Sequence, residues 1–142
     1  MSPTAKASRL IPANEAEVWE TLTSREAMKE YMLGADVEAE WRVGGPIVMR
    51  GEAGGKPYED HGEVRSFQPR RRLSYTHTSS MAPDRTHVVT IELEPRDEGT
   101  EVFVTQENAD GSVSESDREH RADYERTWST ILAKLEDEVL TN

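Results

Sequence analysis

The sequence predicts an α+β domain, one curved antiparallel sheet gripped by a long C-terminal helix, with two short helices after the first strand. Two observations predict it. Between Val37 and Glu107, apolar and polar residues alternate in short runs separated by glycine- or proline-bearing turns, with no helical pattern among them. Short strands joined by tight turns make one antiparallel sheet. From Tyr124 the period changes: Tyr124, Trp128, Ile131, Leu132, Leu135 and Val139 fall on one helical stripe, long enough to cover that sheet.

The elements follow in order. "TAKASRLI" (Thr4–Ile11) is the first strand. Asn14 with Glu17 has the form of an N-cap and its reciprocal acid, opening a helix that buries Val18, Trp19 and Leu22. Thr23 with Glu26 repeats the pattern, so a second helix follows, burying Ala27, Met28, Tyr31 and Met32 and ending at Gly34. Val37, Ala39 and Trp41 then share one strand face, and Gly44-Gly45-Pro46 turns the chain into Ile47–Arg50. A turn over Glu52–Pro57 leads to a strand over Tyr58–Phe67. Arg70-Arg71-Arg72 reads as a solvated turn before a strand that alternates through Leu73, Tyr75 and His77. His87, Val89, Ile91 and Leu93 define the next strand, Pro95–Thr100 a hairpin turn, and Thr100–Glu107 the last strand. Ser116-Asp117-Arg118-Glu119 is a capping box for the final helix, expected to run unbroken from Ser116 to Val139.

The 142 residues suit a single domain, 1–142, without repeats or linkers. A net charge of −11 repels phosphate backbones and anionic lipids, so neither nucleic acid nor membrane is an expected partner. No run approaches the roughly 18 apolar residues of a membrane span, and the N-terminus lacks a signal-peptide core, so a cytoplasmic protein is expected. Zero cysteines exclude disulfides, thiol catalysis and cysteine zinc sites.

The functional expectation rests on aromatic convergence. The predicted sheet places Trp41 under the long helix and brings Trp41, Tyr58, Phe67 and Tyr75 toward Tyr124 and Trp128. Large rigid rings spaced by small residues leave a curved interior incompletely filled, so a cavity is expected. Alternation also turns His77 and His87 inward, and Met49 joins the set. These nine residues are the expected ligand-binding residues. A buried imidazole bonded to a neighbouring hydroxyl or carbonyl is the plain reading of each histidine, and it outweighs an acid–base role. No histidine spacing fixes metal ligands, so no metal is expected. Glu59-Asp60-His61 looks like a charge relay, but only Glu59 and His61 share a face. No serine stands in a nucleophile elbow and no glycine-rich loop precedes a helix, so no cofactor and no catalytic set are expected.

Five segments also carry a family likeness: "PANEAEVWETLTSREAMKEYMLG", "VEAEWRVGGPIVMRGE", "GKPYEDHGEVRSFQPRRRLSYTHTS", "HVVTIELEPRDEGTEVFVTQEN" and "YERTWSTILAKLE". In this order and spacing the sequence resembles bacterial-type members of the family named for the C-terminal domain of the activator of heat-shock protein 90 ATPase. That family lies in the START-like (Bet v allergen-like, SRPBCC) superfamily. The resemblance covers about Ser8 to Leu140. It implies a helix-grip fold, an association with the stress response, and a small apolar or amphipathic ligand. Two alternatives accompany that reading: a co-chaperone-like domain contacting a chaperone, and a hydrolase or cyclase using His77 or His87. A homodimer is left open.

Overall fold

The computed structural model describes residues 5–80 and 85–141. Thr4, at the head of the expected first strand, lies outside them. β1 (Ala5–Ile11) pairs antiparallel with the last strand, from Ala5 opposite Gln106 to Ile11 opposite Thr100. α1 (Glu15–Leu22) starts as its sequence requires. The Asn14 side chain accepts the Glu17 N–H at 2.9 Å and donates to the Glu17 carboxylate at 3.4 Å.

The cap of α2 (Arg25–Tyr31) is Ser24, one residue beyond the expected Thr23. Thr23 is already committed to α1, its N–H and its hydroxyl both donating to the Trp19 carbonyl. Ser24 has the extended backbone an N-cap needs, and its Oγ accepts the Ala27 N–H. Together α1 and α2 bury Val18, Trp19, Leu22, Met28 and Tyr31, closing one end of the core.

The sheet is completed by β2 (Asp36–Ala39), β3 (Pro46–Ala53), β4 (Lys56–Gln68), β5 (Arg72–Thr78), β6 (Thr86–Arg96) and β7 (Gly99–Asn108). Its order is β1-β7-β6-β5-β4-β3-β2, antiparallel at every neighbouring pair. The hairpins are tighter than expected: β6 and β7 pair as far as Arg96 and Gly99, leaving Asp97 and Glu98 as the turn.

β2 stops before Trp41, which corrects the expected placement of that ring. After Ala39 the chain turns, with Arg42 N–H bonded to Glu40 O and Gly45 N–H bonded to Arg42 O, both at 2.8 Å. Gly45 lies so close to Glu40 that a Cβ there would sit 2.0 Å from the Glu40 carbonyl oxygen. This close approach explains Gly45, and a φ of +85° explains Gly44. The turn docks on β4 through two backbone bonds with Val64. Trp41 is half-buried and stacks on Phe67, whose ring meets Trp19 of α1. Its cover is therefore Phe67 and the α1 end of the molecule, rather than the long helix.

α3 (Glu115–Thr141) is one continuous helix. Its capping box is Ser114 with Asp117, two residues before the expected pair. Asp117 N–H donates to Ser114 Oγ at 3.0 Å, and Ser114 N–H donates to the Asp117 carboxylate at 2.8 Å. Trp128, Ile131, Leu132, Leu135 and Val139 are buried in the core against the sheet and the two short helices, while Tyr124 is half-buried. The fold is the helix-grip α+β architecture. Among the described residues no helix is long and apolar enough to cross a membrane.

Candidate functional site

α3 crosses the concave face of the sheet without filling the space beneath its first half. A cavity of about 280 Å³ remains there. The sheet contributes Met49 from β3, Tyr75 and His77 from β5, His87 and Val89 from β6, and Gln106 from β7. The helix contributes Tyr124, Thr127, Trp128 and Ile131; Met32 closes one side and Ser79 follows β5. Six of the nine expected residues meet here: Met49, Tyr75, His77, His87, Tyr124 and Trp128.

Three do not line this cavity. Trp41 and Phe67 stack toward α1, and the Tyr58 ring lies across Gly51, its cross-strand partner, where a Cβ would come within 2.7 Å of the phenol oxygen. Beside Trp41 runs a larger groove of about 440 Å³, between β2 and α2. Arg25, Glu38 and Glu40 line it, and they already form ion pairs: Arg25 with Asp36 and Glu38, Glu40 with Arg42. That groove is wide but electrostatically satisfied, so it offers a ligand no open charge.

His77, which lines the cavity, is held from behind by a carboxylate that is not in its lining. Asp60 is only 8% exposed and takes the His77 Nε2 at 2.9 Å. Its other oxygen accepts the Ser80 N–H at 2.9 Å and the Ser80 hydroxyl at 3.3 Å. Glu59 and His61 do share the outer face, 3.0 Å apart, and Arg50 bonds the same glutamate. Asp60 lies two residues before Gly62 and four before the fully buried Val64, so alternation along β4 was the signal that pointed it inward. His77 is thus bonded to a carboxylate, not to the expected hydroxyl or carbonyl.

His87 stands opposite His77 on one side and opposite Asn108 on the other. Its Nε2 is buried with no hydrogen-bond partner among the described residues, and Tyr124 meets the ring edge-on at 6.3 Å. Burial pushes the His87 pKa down, with His77 and Arg85 adding to the effect and Asp117 opposing it. The imidazole is therefore neutral at neutral pH. Burial also pushes the Tyr75 hydroxyl up, so it remains a neutral phenol. Trp128 donates its indole N–H to Gln106 Oε1 at 2.8 Å, which fixes the ring against the sheet.

His87 gives the protein an acid sensitivity whose sign follows from linkage. Because the folded-state pKa is depressed, the unfolded chain takes up the proton first. Stability is expected to fall as pH drops below the ordinary histidine value of about 6.5. Asp117 contributes only at lower pH: burial pushes its carboxyl up, but bonds from Ser114 and Asn108, with Arg85 nearby, hold it below the usual carboxylate range. Urea unfolding between about pH 7.5 and pH 5 measures the His87 contribution. His87→Phe should flatten the slope in that window; equal slopes in both proteins would show that His87 is not its source.

Comparison with known proteins gives a consistent picture. The sequence matches the family described as Activator of Hsp90 ATPase homolog 1-like protein over residues 12–139. A protein from Cytophaga hutchinsonii, solved in solution, is 36% identical with a TM-score of 0.76, over 99% of this chain and 97% of that one. A crystal structure from Mesorhizobium loti is similar at 21% identity and a TM-score of 0.79, over 97% of each chain. DynU16, from the dynemicin biosynthetic locus, shares the fold at 20% identity and a TM-score of 0.79; the match covers 96% of this chain and 47% of DynU16. A search of curated proteins finds no match. With nearly its whole length matched and its helix gripped by the curved sheet, the chain belongs to the Activator of Hsp90 ATPase homolog 1-like family of the START-like (SRPBCC) superfamily.

Proposed function

We propose that this protein is a START-like binding module that holds one small apolar or amphipathic molecule between the sheet and α3. The observation that carries this reading is the cavity itself, walled by Met32, Met49, Tyr75, Val89, Trp128 and Ile131, with the polar side chains of His77, His87 and Gln106 among them. Such a site, mostly apolar with a few placed polar groups, is the usual form of a small-molecule pocket. Its volume corresponds to about nine water molecules at roughly 30 Å³ each, so it suits a ring system or short chain rather than a long lipid. A co-chaperone-like surface has less support. Among the described residues the large exposed apolar ones, Leu10, Leu33, Val43 and Leu140, come from four separate segments, and the interior is not filled.

Titration with N-phenyl-1-naphthylamine, a neutral apolar fluorophore, tests the reading. Probe fluorescence should rise and tryptophan emission should be quenched, because Trp128 lines the cavity. Val89→Phe fills the same space and should weaken probe binding at least tenfold, with the unfolding transition still cooperative. No probe binding to the unmutated protein would overturn the proposal, as would undiminished binding to a folded Val89→Phe variant. Native mass spectrometry should also find a co-purified small molecule.

A further inference from the structure

We infer that Asp60, acting through His77, makes the cavity selective for a ligand whose polar group donates a hydrogen bond: a small ring-bearing alcohol rather than the corresponding ketone. The inference rests on the cavity being a ligand site. Asp60 serves as a positioning residue, since it bonds the ring that faces the ligand.

The argument is one of hydrogen-bond inventory. The Asp60 carboxylate has only lone pairs to offer, so the His77 nitrogen it touches, Nε2, carries the ring proton. In the neutral imidazole the remaining nitrogen, Nδ1, is then an acceptor. Among the described residues no lysine or arginine lines the cavity, and the Tyr75 phenol, neutral and so a donor, serves an alcohol or a ketone oxygen equally, which leaves the discrimination to His77. His77 thus presents a lone pair, which an alcohol O–H satisfies and a carbonyl oxygen does not. A carbonyl facing that lone pair meets repulsion and leaves the Nδ1 acceptor without a donor.

Ser80 makes this arrangement reversible by one atom exchange. Both the N–H and the hydroxyl of Ser80 donate to Asp60 Oδ1, while Oδ2 takes His77. An asparagine at this position has one oxygen and one NH₂ group. The backbone N–H of Ser80 requires an acceptor, so the amide oxygen goes to that side and the NH₂ group turns to His77 Nε2. A donor at Nε2 forces the ring proton onto Nδ1. Asp60→Asn therefore converts His77 from an acceptor into a donor toward the cavity, with almost no change in shape.

Two measurements test this, one with ligand and one without. Near pH 8.5, above the ordinary histidine range, nitrogen-15 chemical shifts report which ring nitrogen bears the proton. The unmutated protein should show His77 as the Nε2–H tautomer and Asp60→Asn should show Nδ1–H. At the same pH, where the imidazole is neutral, binding is compared for 1-(2-naphthyl)ethanol, 2-acetonaphthone and 2-ethylnaphthalene, which share one skeleton and carry no charge. The unmutated protein should prefer the alcohol to the ketone by about tenfold, the order of one net hydrogen bond. Asp60→Asn should erase that preference by tightening the ketone, and His77→Phe should leave both close to 2-ethylnaphthalene. An Nδ1–H tautomer in the unmutated protein overturns the inference, as does an alcohol-to-ketone ratio that Asp60→Asn leaves unchanged. If none of the three compounds binds while the tautomer exchange occurs as expected, the cavity reading fails and the Asp60–His77–Ser80 arrangement stands.

Discussion

Deleting the chain from Tyr124 onward is expected to remove the cooperative unfolding transition altogether. The lost segment carries Trp128, Ile131, Leu132, Leu135 and Val139, five buried side chains of the core that α1 and α2 close at one end only. Full burial of each is worth about 1.5–3 kcal/mol, so together they approach the roughly 5–15 kcal/mol that holds a whole domain folded. The ends of the molecule suffer too. Lys6 loses its bond from the β1 backbone to Glu125, and Arg9 loses Glu136. Urea titration followed by circular dichroism decides the matter. A truncated chain that still melts in a single sharp transition would mean that the sheet folds without its helix. Leu135→Ala is the graded version: at 1% exposure it should cost about 2–5 kcal/mol while preserving two-state behaviour.

The second large effect is expected at Gly62. A Cβ built there would lie 1.8 Å from the Thr76 carbonyl oxygen and 2.9 Å from its carbon, so the obstacle is backbone and cannot swing aside. Accommodating Gly62→Ala requires β4 to separate from β5 in the middle of the sheet. The neighbouring pairing is already irregular: the register shifts between Val64 and Ser66, and Glu63 N–H donates to the Thr76 hydroxyl. The cost should exceed the roughly 1–3 kcal/mol of ordinary overpacking. Separation at this point also draws Asp60 on β4 away from His77 on β5, so the histidine tautomer should become mixed. A midpoint in urea equal to that of the unmutated protein would show that the strands yield more easily than this spacing implies.

How much of this was legible beforehand depended on how far each signal reaches along the chain. Period-two and period-3.6 patterns act over many residues, and the strands and α3 emerged where those patterns lay. Caps depend on single side chains, and neighbouring candidates compete: Thr23 against Ser24, and Ser114 against Ser116. At α2 the structure chose Ser24, whose backbone α1 had not already used, and at α3 it chose Ser114, which exchanges bonds with Asp117. Trp41 was misplaced because alternation continues past the end of β2, whereas the close packing of Gly45 on Glu40 ends the strand there. The Asp60–His77 pair depended on register between two strands, which no single-strand pattern encodes. Met49, Tyr75, His77, His87, Tyr124 and Trp128 were legible as inward-facing, and their meeting around one cavity follows from the sheet order.

The grip of α3 on β1 has a consequence beyond packing. An outermost strand presents a row of backbone donors and acceptors on which another chain can crystallise as a further strand, the first step toward fibrils. On β1 the Lys6 N–H is taken by the Glu125 carboxylate at 3.0 Å, and Arg9 is tethered to Glu136 at 3.1 Å. The helix that closes the cavity therefore also caps the rim. At the opposite rim β2 is only four residues long, and Asp36 and Glu38 hold Arg25 across it. Both borders of the sheet are charged and occupied, so the protein can carry an open seven-stranded sheet without offering either side as a seed for aggregation.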